Sequence, residues 1–214
     1  MNSSCFCRRA SATALLSTSQ ITPEDHLELL TVINEESDRL DRLIVQALQM
    51  GQLESGVLPM HFSPQSLQAM VQHAAETIAP ALREHRLIID IPVHTPKVLA
   101  DPEWIERTLA NLIENAAKYS PPGRSIQVSA TVRDNYVFVS VTDQGDGVDP
   151  RERELIFERF YRGKHKRRSV PGTGMGLAIC RAIIRAHQGE ITVQDGPEIG
   201  ACFTFTLPVA SLDG

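Results

Sequence analysis

The sequence predicts an α/β domain preceded by one long bundle-forming helix. Three observations carry this. Leu30, Ile33, Ser37, Leu40, Ile44 and Ala47 recur at alternating steps of three and four, the spacing of a helical seam. From Met60 onward, short segments of period two alternate with amphipathic segments of helical period. Glycine clusters follow one of the strands, at Asp143-Gln-Gly145-Asp-Gly147, and open one of the helices, at Gly172-Thr-Gly174-Met-Gly176-Leu177.

Composition sets outer bounds. The 214 residues suffice for one full domain plus an appendage. With 42% hydrophobic and 22% charged residues the chain reads as globular. A net charge of −5 does not favour nucleic acid as a partner. No apolar run approaches bilayer length. Arg8 and Arg9 before a short, Ser/Thr-rich segment make a poor signal peptide. The four cysteines, Cys5, Cys7, Cys180 and Cys202, have no paired spacing. Cys180 and Cys202 read as core, and a reducing cytoplasm is the expected location.

Residues 1–20 are small, polar and aperiodic, either disordered or the remnant of a helix. Thr22-Pro23-Glu24-Asp25 is a helix start: a cap, a proline for the first turn, and acids at the positive end of the dipole. The helix is expected to run to about Glu54, with a linker at 51–59. Its seam cannot be buried by one helix alone, which predicts pairing with a second copy. Next come a short strand at 60–62, a helix from about 64 to 84 capped by Ser63, and strands at 86–91 and 97–100. Asp101-Pro102-Glu103 starts the central helix, and Pro121-Pro122-Gly123 ends that region. Segments 126–132 and 136–142 form a hairpin around Asp134-Asn135. Residues 150–171 read as a long loop containing one helical turn, a length that is usually functional. A helix at 173–187, closed by Gly189, and strands at 190–194 and 202–207 complete the chain.

The central helix carries Asn111, Glu114, Asn115 and Lys118 on one stripe, at i, i+3, i+4 and i+7. Amide and carboxylate oxygens suit a hard cation such as Mg²⁺, and an ammonium suits phosphate. Alone, the stripe reads as a solvated helix face; the glycine motifs downstream change that. Asp143 stands at a strand end, where a carboxylate accepts a hydrogen bond from an exocyclic amine such as that of adenine. Gly145 and Gly147 let a planar base approach the backbone; a simple tight turn is the competing reading. Gly172-x-Gly174-x-Gly176 fits neither a dinucleotide fingerprint nor a P-loop, since it follows a loop and lacks Gly-Lys-Ser/Thr. What remains is glycine backbone at a helix N-terminus, an anion site, a hinge, or both. Phe157, Phe160 and Tyr161 sit at i, i+3 and i+4 and read as a hydrophobic staple, with Arg159 or Arg162 as a lesser candidate for phosphate. Lys164-His-Lys166-Arg167-Arg168 faces nucleotide phosphates or solvent.

Taken in order, NLIENAAKYSPPG, DQGDG, FERFYR, GTGMGLAICRAI and GACFTFTLP resemble the N, G1, F, G2 and final glycine motifs of bacterial sensor histidine kinases. The wording is most similar to the potassium-responsive Kdp-type kinases, over roughly residues 24–209. This resemblance implies a Bergerat-type fold, a mixed sheet backed by helices, for an ATP-binding catalytic domain at 59–210. It makes 21–55 the second helix of a dimerisation hairpin. It implies ATP and Mg²⁺ as ligands, with Asn115 on the metal helped by Asn111, and Lys118 and Tyr119 near phosphates and base. It further implies Asp143 on adenine flanked by Gly145 and Gly147, and Gly172, Gly174, Gly176 and Leu177 over the phosphates. Phe157 and Phe160 would border the nucleotide, and Thr204 would contact adenine through water. ATP-hydrolysing relatives carry Glu where Asn111 stands; an amide is no general base, so phosphoryl transfer is expected over hydrolysis.

The departure from the family is at the start. None of the seven histidines is followed by a carboxylate, as the family's acceptor is. The acceptor is therefore expected on another segment or chain, with a response regulator as the onward partner and a homodimer or mixed dimer through Leu30, Ile33, Leu40, Ile44 and Ala47. The alternatives are a stand-alone ATP-binding switch or serine kinase of the same fold, like the anti-sigma-factor kinases, and a non-catalytic dimerisation partner of intact kinases.

Overall fold

The computed structural model describes residues 22–54, 60–163 and 172–210. The chain divides into two compact units, Met1–Leu48 and Gln49–Gly214. The described part of the first unit is helical and belongs to α1, Pro23–Glu54. Its seam is bare in a single copy: Leu30, Leu40 and Ile44 are 44%, 38% and 56% exposed. The one polar seam position, Ser37, donates its hydroxyl to the Ile33 carbonyl one turn back (2.8 Å), so it makes no demand on a partner.

The second unit is built on a five-stranded mixed sheet. In chain order its elements are β1 (Ser63–Gln65), α2 (Leu67–Thr77), a 3₁₀ turn (Ala79–Leu82), β2 (Arg86–Asp90), β3 (Val98–Ala100), α3 (Pro102–Tyr119), β4 (Ser125–Arg133), β5 (Tyr136–Thr142), a second 3₁₀ turn (Leu155–Phe157), α4 (Gly176–Ala186), β6 (Ile191–Asp195) and β7 (Ala201–Pro208). The sheet order is β2-β4-β5-β7-β6, while β1 and β3 pair separately. Only β2 and β4 run parallel, joined through α3; the other neighbours are antiparallel. The β4–β5 hairpin turns at Asp134 and Asn135, both left-handed (φ 49° and 62°), the mirror-image turn whose twist matches that of the strands.

Alternation along the strands separates the two faces of the sheet. Ile126, Val128, Val137, Val139, Val141, Phe203, Phe205 and Leu207 are buried. Gln127, Ser140, Thr142, Cys202, Thr204 and Thr206, at the intervening positions, are partly exposed. The buried face meets the helices, where Ile105, Leu109, Leu112 and Ile113 of α3 and Ile179, Ile183 and Ile184 of α4 complete the core.

Helices α3 and α4 lie antiparallel with a readable register. Gly176 faces Asn111, the Cys180 thiol points to the Thr108 carbonyl (4.0 Å), and His187 takes the Asp101 N–H (3.1 Å). Burial pushes the Cys180 thiol up to about 12, so it stays protonated and packs as a small apolar group.

Four expectations are corrected, three of them at the ends of elements. The first short strand lies at Ser63–Gln65, just after 60–62, because Pro64 is tolerated on a two-stranded edge. The cap of α2 is Ser66, whose hydroxyl accepts the Ala69 N–H (3.4 Å), and not Ser63. That helix stops at Thr77, since Pro80 cannot supply the next N–H, and only a 3₁₀ turn follows. Cys202 is half-buried on the polar sheet face, so it is not a core residue.

Candidate functional site

The polar stripe of α3 forms because the helix buries its opposite side. Ile105, Leu109, Leu112, Ile113 and Ala116 face the core, which leaves Asn111 and Asn115 half-buried and Glu114 and Lys118 exposed. Asn115 Nδ2 donates to Asn111 Oδ1 at 3.0 Å. That bond fixes how both carboxamides are turned and commits one Asn111 lone pair, while Asn115 Oδ1 takes no part in it. The start of α4 covers Asn111. A Cβ on Gly176 would lie 2.5 Å from Asn111 Nδ2 and 2.9 Å from its Oδ1, so no other residue fits there without displacing the amide. Two turns further along α3, Lys118 Nζ lies 3.7 Å from where a Gly172 Cβ would be. The segment 172–176 therefore lies along the stripe.

That segment is held from below by Met175, which is 1% exposed. Thr173 Oγ1 accepts the Met175 N–H (3.3 Å). Gly174 adopts φ 74° because the backbone of Phe160 and Tyr161 passes against it. Leu177 is half-buried in the first turn of α4, which begins at Gly176 and so leaves Thr173 outside the helix.

Beyond the C-terminal end of α3, Asp143 is buried at the end of β5. Its Oδ1 accepts two backbone N–H groups, from Gly145 (2.9 Å) and Ala201 (3.0 Å). Its own N–H donates to the Ala201 carbonyl (2.9 Å). Two donors on one oxygen lock the plane of the carboxylate. Gly145 sits directly against the Tyr119 carbonyl, and Gly200 against the Asp143 carbonyl, with no room for a side chain at either. Gly147, at φ 74°, packs on the Gly200 carbonyl. The loop after β5 and the turn before β7 thus interlock. Tyr119, the last residue of α3, is 36% exposed beside them.

Asn111, Asn115, Lys118, Tyr119, Asp143, Gly145, Gly147, Gly172, Gly174, Gly176 and Leu177 are accordingly placed around the C-terminal half of α3, the end of β5 and the start of α4. Thr204 and Phe157 are not, and Phe160 meets the glycine segment through its backbone. Thr204 is on the opposite face of the sheet, where its hydroxyl pairs with Ser140 Oγ (2.9 Å). A residue one step out of register with the buried Phe203 and Phe205 cannot face α3. Phe157 is buried edge-on to Phe203 (centroids 6.4 Å apart) with the Arg181 guanidinium 5.5 Å from its ring, so it is a packing anchor. Phe160 is 60% exposed at φ 61°, turned out from the staple. Of the three aromatics only Phe157 is a buried anchor; Tyr161 is half-buried and its hydroxyl donates to Glu152 Oε1 (2.8 Å). The basic run at 164–168 lies outside the described residues.

The final glycine, Gly200, belongs here, and so do three residues that the motifs contain without a role: Ser120, Gln144 and Ala201. The period of two in β7 carries the signal for the last: Ala201, Phe203 and Phe205 share the inward face.

The donor set tests which ion fits. Among the described residues no three His, Cys, Asp or Glu side chains converge on one point. The described residues therefore build no zinc site and no carboxylate-rich calcium cage. Two carboxamides beside an ammonium match a magnesium ion that takes most of its ligands from phosphate and water, with one or two protein oxygens. Among the described residues no helix is long and apolar enough to cross a membrane.

Comparison with known proteins agrees with this geometry. Residues 100–211, more than half of the chain, match the family model described as histidine kinase-, DNA gyrase B-, and HSP90-like ATPase. The adaptive-response sensory kinase SasA of a Synechocystis strain is 37% identical over 185 residues, 85% of this chain and 48% of that protein. The sensor protein KdpD of Escherichia coli is 35% identical over 183 residues, 86% of this chain and 20% of that protein. The chain thus spans about half the length or less of these curated relatives. The SasA kinases match at least as well as KdpD, so the kinship is with sensor kinases broadly rather than with the Kdp type in particular. Among solved structures, the mycobacterial sensor histidine kinase MprB superposes with a TM-score of 0.63 at 29% identity, covering 71% of this chain and all of that one. Full-length ShkA in complex with AMPPNP superposes with a TM-score of 0.71 at 25% identity, over 97% of this chain and 44% of that one.

Proposed function

The chain belongs to the histidine kinase-, DNA gyrase B- and HSP90-like ATPase family, and from that premise we propose that it is the ATP-binding catalytic part of a two-component sensor kinase. It moves the γ-phosphoryl group of Mg·ATP to a histidine supplied by another segment or chain. The observation that carries this reading is the hydrogen-bonded carboxamide pair Asn111–Asn115 beneath the glycine segment.

Each residue then has a stated task. Asp143, its plane held by Gly145 and Ala201, accepts the adenine amine and rejects guanine, which presents a carbonyl at that position. Asn115 offers its oxygen to the magnesium ion, oriented by Asn111. A magnesium ion held there would supply charge neutralisation to the phosphates. Lys118 adds a cation to the same phosphates, next to backbone N–H groups of the glycine segment. Nothing in the pair can deprotonate water, because a carboxamide has no basic site at neutral pH. An imidazole attacks through its neutral nitrogen and needs no base for that; the carboxylate beside an acceptor histidine orients the ring and takes the proton released as the phosphoryl bond forms and ADP leaves. Catalysis therefore reduces to binding, orientation and exclusion of water.

The bare seam of α1 supports pairing with a second copy or a related kinase, through Leu30, Ile33, Leu40, Ile44 and Ala47. A response regulator is the onward recipient of the phosphoryl group. Titrating the full chain with nucleotides tests the reading. ATP with Mg²⁺ is expected to saturate one site per chain, with GTP far weaker; equal affinity for the two contradicts the adenine assignment.

A further inference from the structure

We propose that Ser120 and Gln144 form a clamp that sets the spacing between the base-reading and the phosphate-holding halves of the site, making both of them positioning residues. The inference rests on the ATP reading above and goes beyond it. Gln144 lies between Asp143 and Gly145, where the motif itself requires no particular side chain.

Its backbone and side chain are both tied. The Gln144 N–H donates to Ser120 Oγ at 3.2 Å. Gln144 Oε1 accepts the Ser125 N–H at 3.2 Å and the Ser125 hydroxyl at 3.4 Å. Ser120 is 8% exposed and follows the last residue of α3, and its own N–H donates to the Ala116 carbonyl. Thus Asp143, Gln144 and Gly145 are fastened to three elements: to β7 through Ala201, to β4 through Ser125, and to the end of α3 through Ser120, while Gly145 packs against the Tyr119 carbonyl.

The phosphate-holding groups are on that same helix. Asn115 lies five residues before Ser120, about 7.5 Å along a rigid axis. A helix transmits position along its length, so the Ser120 bond decides where Asn115 and Lys118 stand relative to Asp143. A ligand that spans both halves benefits from a spacing fixed in advance; a ligand that fills one half does not. Releasing the clamp therefore penalises nucleotide triphosphate and spares the nucleoside.

The test uses the full chain and two probes, Mg·ATP and adenosine. In Ser120→Ala, Mg·ATP affinity is expected to fall about tenfold, the effect of one lost buried hydrogen bond, while adenosine affinity stays within about twofold of wild type. Ser120→Thr, which keeps the hydroxyl, restores Mg·ATP binding. Gln144→Met keeps the N–H that Ser120 accepts and removes only the tie to Ser125, so it shows a smaller loss of Mg·ATP affinity with the same sparing of adenosine, and the test stands even where Ser120→Ala fails to fold. Equal weakening of both probes, or an unchanged Mg·ATP affinity, overturns the clamp. Wild-type protein that binds neither probe overturns the ATP reading instead, and the two failures are told apart by that control.

Discussion

Gly176 faces the Asn111 carboxamide so closely that a methyl group on it would lie 2.5 Å from Nδ2. Gly176 is the first residue of α4, where alanine gains less over glycine than the roughly 1 kcal/mol of a helix interior. Gly176→Ala is therefore expected to leave thermal stability near wild type while pushing Asn111 off Asn115. Losing that bond should lower Mg·ATP affinity about tenfold. A thermal melt alongside a calorimetric titration reads both quantities; unaltered affinity would mean that the pair is not part of the phosphate site.

Asp143→Asn separates holding from reading. An asparagine Oδ1 still accepts the N–H groups of Gly145 and Ala201, so the loop should keep its shape. Its other terminus becomes a donor facing the donor of adenine. ATP binding should weaken by about 1.5–3 kcal/mol, the range for a hydrogen bond to a charged group, and ATP and GTP affinities should converge. Parallel titrations of the two nucleotides check this, and a folded mutant with full ATP preference would contradict it.

Asn115→Leu removes the proposed metal oxygen at similar size. The Mg²⁺ dependence of ATP binding should vanish, while metal-independent binding of the base persists. Titrations with and without EDTA decide the matter: equal enhancement by Mg²⁺ in wild type and mutant would place the ion elsewhere.

How much of this was legible in the sequence depends on periodicity. The Asn111–Lys118 stripe was readable because one helix carries all of it at a known repeat. Asp143 was readable as the residue that ends an alternating strand. Thr204 was misplaced for want of the same alternation: with Phe203 and Phe205 inward, it must point outward. The Phe160 side chain points outward because only the 3₁₀ turn Leu155–Phe157 forms where the i, i+3, i+4 spacing suggests a helical staple. The Ser120–Gln144 bond joins residues 24 positions apart on two loops, and no repeat in either segment announces it.

His187 gives the fold a pH dependence of its own. It is buried, its Nδ1–H donates to the Ile183 carbonyl (2.8 Å), and its Nε2 accepts the Asp101 N–H. Phe62 packs edge-on to its ring, and the Asp101 carboxylate, which accepts the His61 N–H, is the charged group nearby. Burial lowers its proton affinity below the ordinary value of 6.5, against smaller opposing effects of Ile183 and Asp101. The unfolded chain then binds this proton first. Stability from this group is complete above 6.5 and declines as pH falls below it, by at most about 1.4 kcal/mol per pH unit. Denaturant midpoints between pH 8 and 5 measure the slope, and His187→Gln should reduce it. An unchanged slope would assign the acid sensitivity to other groups.

The most direct test of the account follows the γ-phosphoryl group itself. None of the chain's seven histidines is followed by a carboxylate, so the chain incubated alone with γ-labelled ATP is expected to take up no acid-labile label. Adding an ATP-site-dead sensor kinase with its own acceptor helix and a matching seam should place acid-labile, base-stable label on that partner, with little free phosphate. Label released as phosphate without a labelled partner, under conditions where ATP binding and mixed dimers are both confirmed, would contradict histidine phosphoryl transfer.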